Sequence, residues 1–416
     1  MKSALADLYH AHVVERCRTT ELALAETGFD RLLLHSGTPH TYFSDDQDAP
    51  FVPTPHFTHW APVEGPGHVV EFRPGKKPRL LRFVPRDFWY EPPHPAPAFV
   101  AAEFDVEDSA TPEGVSAAVG ANGARTAFVG GSVDVAAAFG IPAEAINPKG
   151  LVARLDWERS YKSEYEVETL AEATGPAARG FRAAEAAFRD GATEMEAHHA
   201  YLAAAAVMEE QLPYPTIIGF DERSATLHYH GKRGTWAAPG RVMLVDAGVA
   251  VRGYGSDITR TYAGDGCDPL FVNLITGMET LQKELAAAPR PGMKYLDLHV
   301  RAHHLIGDLL QRAGVLKVPA GVAVEKGLTR PFFPHGLGHF LGIQVHDVAG
   351  RFADREGTLA PPPPEYPSLR TTRTIEERMV FTIEPGLYFI PMLLEEHRNG
   401  PNRDDFDWAV VDRLTP

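Results

Sequence analysis

Cysteine is nearly absent. Cys17 and Cys267 are the only two in 416 residues, far apart and in no ligand spacing. That excludes a disulfide framework and a cysteine-rich zinc site, and it fits a reducing compartment. Basic residues are also in deficit: 40 Lys and Arg face 55 Asp and Glu, a net charge of −15. Such a field repels polyanions, so neither nucleic acid nor an anionic membrane is an expected partner. No apolar run approaches the roughly 20 residues of a membrane span, and residues 1–18 read as an amphipathic helix without an apolar signal core. The expectation is a soluble, cytoplasmic protein. What remains is an ordinary globular composition, 44% hydrophobic and 23% charged, with length for two or three domains and a large core.

The first third alternates helix and strand signals. A helical pattern covers 7–27, and Arg31-Leu-Leu-Leu-His35 is a short apolar strand. Val69-Val-Glu-Phe72 and Leu80-Leu-Arg-Phe-Val84 form a strand pair around Pro74-Gly75. A helix over 112–120, a strand Thr126-Ala-Phe-Val129 and a helix over 133–139 follow. This spacing predicts an α/β layer domain. The Pro-rich stretch 92–97 reads as an extended surface loop, as does 361–364. Residues 160–210 are Ala/Glu/Arg-rich with helical spacing through Val167, Leu170, Phe181 and Phe188, and Gly175-Pro176 is expected to kink or split that segment. Strands are predicted at 216–220, 242–245 and 379–383, with helices at 269–286 and 294–313. The fold class is therefore α/β (α+β), with an N-terminal domain over 1–157 and a C-terminal domain over 158–416.

Chemistry concentrates in three places. Leu244-Val-Asp246-Ala-Gly248 is a strand ending in a carboxylate, and Gly255-Ser-Asp257-Ile-Thr-Arg260 opens a second strand. A hairpin centred between residues 251 and 252 would set Asp246 and Asp257 opposite each other, where two carboxylates repel unless a cation or proton lies between them. Second, His335, His339 and His346 fall within twelve positions. Gly336 and Gly338 argue against a helix, and no Glu follows the first His, so the HExxH zinc motif is absent. The glycine spacing is also wrong for a dinucleotide turn. Third, Met379-Val-Phe-Thr-Ile-Glu384-Pro-Gly386 is an apolar run closed by a Glu. Carboxylates plus an imidazole suit Mn²⁺, Co²⁺ or Zn²⁺, and bridging carboxylates suggest two metals sharing a hydroxide nucleophile. Strand-end acids in water and buried, hydrogen-bonded histidines are the plainer alternatives for each feature taken alone.

Together these residues resemble the pita-bread metallopeptidases, and within them the bacterial Xaa-Pro dipeptidases (prolidases) and the related organophosphorus acid anhydrolases. The likeness also runs through Leu8-Tyr9, His35-Ser-Gly37, Phe43-Ser-Asp-Asp46, Asp87-Phe-Trp89 and Leu227-His-Tyr229. It implies a C-terminal pita-bread domain with two divalent metals, most often manganese, with Asp257 bridging, Asp246 on one metal, and His339 and Glu384 on the other. His228, His335 and His346 would line the substrate site, and Glu384 would shuttle a proton. Arg370 would hold the dipeptide's free carboxylate, a task suited to a guanidinium fork. Tyr214 would also contact substrate, and Asp45 and Trp89 would reach the neighbouring subunit's site in a homodimer. The implied reaction is hydrolysis of Xaa-Pro dipeptides.

One departure stands out. The family carries a second Glu on a final strand of the form Gly-Gly-Ile-Arg-Ile-Glu-Asp, which is missing here, so the fold is expected to lack that strand. Phosphotriester hydrolysis at the same metals and a non-catalytic peptide-binding role are the alternatives to prolidase activity.

Overall fold

The Leu-rich segment at 31–35 is buried at all five positions, as expected of a strand covered on both faces. It forms β1 (Arg31–His35) near the centre of the N-terminal sheet in the computed structural model, which describes residues 2–120, 125–235 and 239–415. Its companions are β2 (Val69–Phe72), β3 (Arg79–Phe83), β4 (Asp105–Ser109) and β5 (Thr126–Val129) in the order β4-β3-β2-β1-β5. The inner pairs β1/β2 and β2/β3 are antiparallel and the outer pairs β3/β4 and β1/β5 parallel. Leu33, Val69, Leu81 and Phe128 pack with Val115 and Val119 of the helix Pro112–Val119. That helix starts at Thr111, whose side chain accepts from the Gly114 amide, with Pro112 in its first turn.

The chain divides into two compact units. The first comprises Met1–Thr169, Arg252–Tyr254 and Asp354–Thr358; the second comprises Leu170–Val251, Gly255–Ala353 and Leu359–Pro416. The helix Glu164–Arg189 is continuous although Pro176 lies inside it, so Gly175-Pro176 does not split the segment. Three of the four expected core positions, Leu170, Phe181 and Phe188, are buried. Tyr165, Glu166, Thr169 and Leu170 are buried, whereas Val167 is 45% exposed.

In the second unit, β6 (Ile217–Phe220), β7 (Val242–Ala247) and β10 (Ile258–Ala263) make an antiparallel sheet in the order β10-β7-β6. β8 (Ala250–Val251) pairs with β9 (Tyr254–Gly255) towards the turn. Met243, Val245 and Ala247 share a core with Ile218, Phe220 and the helical residues Phe181, Phe188 and Tyr201. The helices Pro269–Ala286 and Tyr295–Arg312 build another core around Phe332, Phe333, Leu369 and Phe389. The strand expected over 379–383 is not a regular one; only an isolated bridge joins Phe381 to Phe340. Among the described residues, no helix is long and apolar enough to cross a membrane.

Candidate active site

Side chains alternate along β7. Val245 and Ala247 enter the core, so Leu244 and Asp246 must face the other way, where they line a cavity of about 1500 Å³ in the second unit. On β10, Thr259 is the direct partner of Asp246 and Ile258 that of Ala247. The hairpin is therefore centred one residue later than its two carboxylates suggest. Asp246 and Asp257 are same-face diagonal neighbours rather than opposite one another. A tyrosine joins them: the Tyr214 hydroxyl lies 2.8 Å from Asp246 Oδ1 and 2.9 Å from Asp257 Oδ1. Burial, then the charge of Asp257, pushes the Asp246 carboxyl up to about 7. Burial and the same two acids keep the Tyr214 phenol protonated.

The second half of the site is an irregular antiparallel ladder. Glu384 N donates to Leu337 O, Thr382 N to His339 O and Leu341 N to Val380 O, at 2.9–3.1 Å. Gly338 lies where the two segments touch. A Cβ there would sit 2.2 Å from Thr382 O, so no larger residue fits without spreading the ladder. The ladder sets His339 beside Glu384, with Nε2 at 3.2 Å from Glu384 Oε1 and 3.2 Å from Asp257 Oδ2. The other ring nitrogen, Nδ1, is 2.9 Å from Phe340 O. A carbonyl can only accept, so Nδ1 carries the proton and Nε2 is the atom that faces the carboxylates. Burial opposes a cation on this ring, yet hydrogen bonds to Asp257 and Glu384 prevail and lift its pKa to about 10. Two carboxylates, Asp257 and Glu384, thus converge on one imidazole, with Asp246 joined to Asp257 through Tyr214, and the group draws in protons where no metal cation is present. That donor set fits a hard or borderline divalent metal.

The remaining histidines differ. His335 Nδ1 is 2.9 Å from Gly336 O, and its buried Nε2 has no hydrogen-bond partner among the described residues. Burial lowers its pKa, so the neutral ring offers Nε2 as an acceptor. His346 stands edge-on to His339, ring centroids 4.3 Å apart. His228, Arg370 and Tyr214 line the same cavity, and His228 and Arg370 are exposed. Asp45 and Trp89 are not part of it. They belong to the first unit, where both are exposed and Trp89 stacks loosely on Phe88. Sequence reasoning missed Thr382, whose hydroxyl lies 2.7 Å from Glu384 Oε1. A lone hydroxyl two positions before the Glu, hence on its face of an extended segment, was the available signal.

Comparison with known proteins adds an independent line. Residues 168–407 match the model of metallopeptidase family M24, and residues 7–157 match that of the Xaa-Pro dipeptidase N-terminal domain. The chain is 39% identical to the Xaa-Pro dipeptidase of Pseudoalteromonas atlantica, over 99% of this chain and 93% of that protein. It is 40% identical to that of Stenotrophomonas maltophilia, over 98% and 91% respectively. Among solved structures, E. coli aminopeptidase P with the inhibitor Pro-Leu superposes with a TM-score of 0.72 at 21% identity, covering 96% of this chain and 90% of that one. A zinc-substituted, product-bound form of the same enzyme gives 0.71, with the same identity and coverage.

Proposed function

We propose, from the premise that the chain belongs to metallopeptidase family M24, that it is a metal-dependent dipeptidase that hydrolyses Xaa-Pro dipeptides. The observation that carries this reading is the convergence of Asp246, Asp257, His339 and Glu384 on one face of a cavity that Arg370 also lines. The pita-bread fold shared with aminopeptidase P supports it.

Asp246, Asp257, His339 and Glu384 are the residues that would hold two divalent ions, manganese in our reading, with cobalt or zinc also suited to the donors. When bound, such ions polarise a scissile carbonyl and lower the pKa of water towards roughly 7. The chain's own groups do the rest. Arg370 pairs with the free carboxylate of the dipeptide, as a guanidinium does best. His346 donates a hydrogen bond to the carbonyl oxygen as it gains charge. His335 accepts one from the substrate through Nε2. Glu384, its Oε1 held by the Thr382 hydroxyl, carries a proton to the leaving proline nitrogen. Tyr214 withdraws its hydroxyl from the two aspartates to meet substrate.

We place the enzyme in the cytoplasm. We also assign the domain over 1–157 to dimer formation and to closing the substrate site. Phe43, Phe88, Trp89 and Tyr90 are 71–99% exposed there, which supports a role in association; Asp45 and Trp89 would act in the partner's site.

The test is turnover of Gly-Pro or Leu-Pro by metal-stripped protein with and without added Mn²⁺, beside Asp257→Asn. Activity restored by Mn²⁺ in the parent and reduced at least about 10³-fold in the variant is expected, the scale seen when a transition-state-stabilising group is removed. Equal turnover by the two proteins, or hydrolysis of an organophosphate triester in place of the dipeptides, overturns the reading.

A further inference from the structure

Outside the cavity, a dense set of buried ionisable groups lies in the N-terminal unit. Glu166, His12, His59 and Arg16 are all at most 5% exposed. His12, His59 and Glu166 bring donor atoms within 4.8 Å of one another, which invites a metal reading. Their hydrogen bonds argue against it. His12 uses Nε2 on His59 O at 2.7 Å and Nδ1 on Ser163 Oγ at 2.8 Å. Glu166 Oε2 accepts from the Ser163 amide at 2.9 Å. Arg16 Nη1 is 3.4 Å from His59 Nε2, so a fixed cation already stands beside one of the three donors.

What this set holds is the turn of the Asp246/Asp257 hairpin. The Tyr254 hydroxyl donates to Glu166 Oε1 at 3.1 Å. Arg252, two residues earlier, donates from Nη2 to Thr169 Oγ1 at 3.1 Å and lays its guanidinium over the Tyr165 ring at 5.8 Å. Between them Gly253 adopts φ +86°, and a Cβ on it would fall 2.5 Å from Thr58 Cγ2. Arg252–Tyr254 accordingly belong to the N-terminal unit. From Tyr254 only two residues lead to Asp257. The second of them, Ser256, is pinned across the hairpin to Val249 by its amide at 2.9 Å and its hydroxyl at 3.3 Å.

We propose that Glu166 and Tyr254 are positioning residues for the metal pair: their buried hydrogen bond fixes the hairpin turn, and through the short paired stretch it fixes the spacing of Asp246 and Asp257. Neither residue touches substrate or metal. Their effect is on how well the two carboxylates are preset for cations, as with outer-shell partners of metal ligands generally. The inference rests on the reading of Asp246 and Asp257 as ligands.

The experiment is a Mn²⁺ binding titration of the metal-stripped full chain, read by calorimetry, for the parent, Tyr254→Phe, Glu166→Gln, the double variant and Asp257→Asn. Glu71→Gln, which alters a buried carboxylate in the separate Arg31–Glu71–Arg79 network, controls for loss of stability alone. Tyr254→Phe and Glu166→Gln are each expected to raise the Mn²⁺ dissociation constant about tenfold. The double variant should be no worse than either single one, because both remove the same bond, and Glu71→Gln should bind Mn²⁺ like the parent. Should Glu166→Gln not fold, Tyr254→Phe, which loses one hydroxyl, decides the matter. Parent-like affinity in a folded Tyr254→Phe, or equal weakening in Glu71→Gln, overturns the proposal. If Asp257→Asn also binds like the parent, the ligand reading itself falls; if Asp257→Asn alone loses Mn²⁺, only the positioning role does.

Discussion

Two clusters of acids and imidazoles lie in this chain, and they are balanced differently. Around Glu166 the carboxylate is well supplied: the Ser163 amide and the Tyr254 hydroxyl donate to it, His59 Nε2 and His12 Nδ1 stand 3.3 and 3.7 Å away, and Lys162 adds a nearby positive charge. Burial would raise the Glu166 carboxyl, yet His59, His12 and Lys162 beside it hold it well below the usual range. Around Asp257 the sum does not close. Asp246, Asp257 and Glu384 face one imidazole and one phenol, and the result is a raised Asp246 and a raised His339. A closed set of buried charges holds a fold together, whereas an open one is prepared for a cation that is not part of the polypeptide.

The largest test of that contrast removes one carboxylate from each set and measures urea unfolding in EDTA. Glu166→Ala strands buried cations and should cost about 3–5 kcal/mol. Asp257→Asn relieves repulsion and should leave the metal-free protein as stable as the parent, or up to about 1 kcal/mol more so. Equal destabilisation by both would erase the distinction.

A smaller effect is expected with pH. In metal-free protein the Asp246 pKa of about 7 lies above the unfolded value of 3.8. Ionising it therefore costs stability, increasingly from pH 4 up to pH 7. His339, raised from 6.5 to about 10, contributes stability that is complete below pH 6.5 and lost as pH rises through 10. Both make the stripped protein weaken on going from pH 5 to 8, by on the order of 1–3 kcal/mol, and saturating Mn²⁺ should flatten that slope. Glu166 acts in the opposite sense, its contribution present above pH 4.5 and lost on acidification through its lower folded pKa. If the stripped and Mn²⁺-loaded proteins show parallel pH curves, the cavity carboxylates are not the groups in excess.

The smallest change concerns the one guanidinium in the cavity assigned to substrate. Arg370 is exposed, so water competes with its partner. Arg370→Ala should raise KM for Gly-Pro about tenfold, with kcat changed little, worth about 1.4 kcal/mol. A C-terminally amidated Gly-Pro should show no such penalty. A matching rise in KM for the amide would remove Arg370 from carboxylate recognition.

Much of the fold was readable from local pattern. β1, β2 and β5 fall on the expected residues, as does the helix Pro269–Ala286, because their apolar spacing and their Pro or Gly borders agree. The misreadings share a cause. Val167 was expected in the core because it is apolar, but the buried face of its helix carries Glu166 and Thr169 instead, whose partners come from residues 12, 59, 163 and 252–254. The segment 379–383 has the composition of a strand, yet its partner is the glycine-interrupted stretch 337–341, which gives three hydrogen bonds without a regular sheet. The hairpin register pairs Asp246 with Thr259 and not with Asp257, so the symmetry of its acids does not set it.

By itself, then, the sequence determined the chemical inventory: which side chains carry oxygen and nitrogen donors, where the chain alternates with period two or turns with period 3.6, and which stretches must turn. Only the tertiary structure decided which of those acids are compensated. Glu166 and Asp257 are indistinguishable as letters in polar surroundings. The energy of a buried charge depends on what replaces its lost water, and the replacements come from segments distant in the chain.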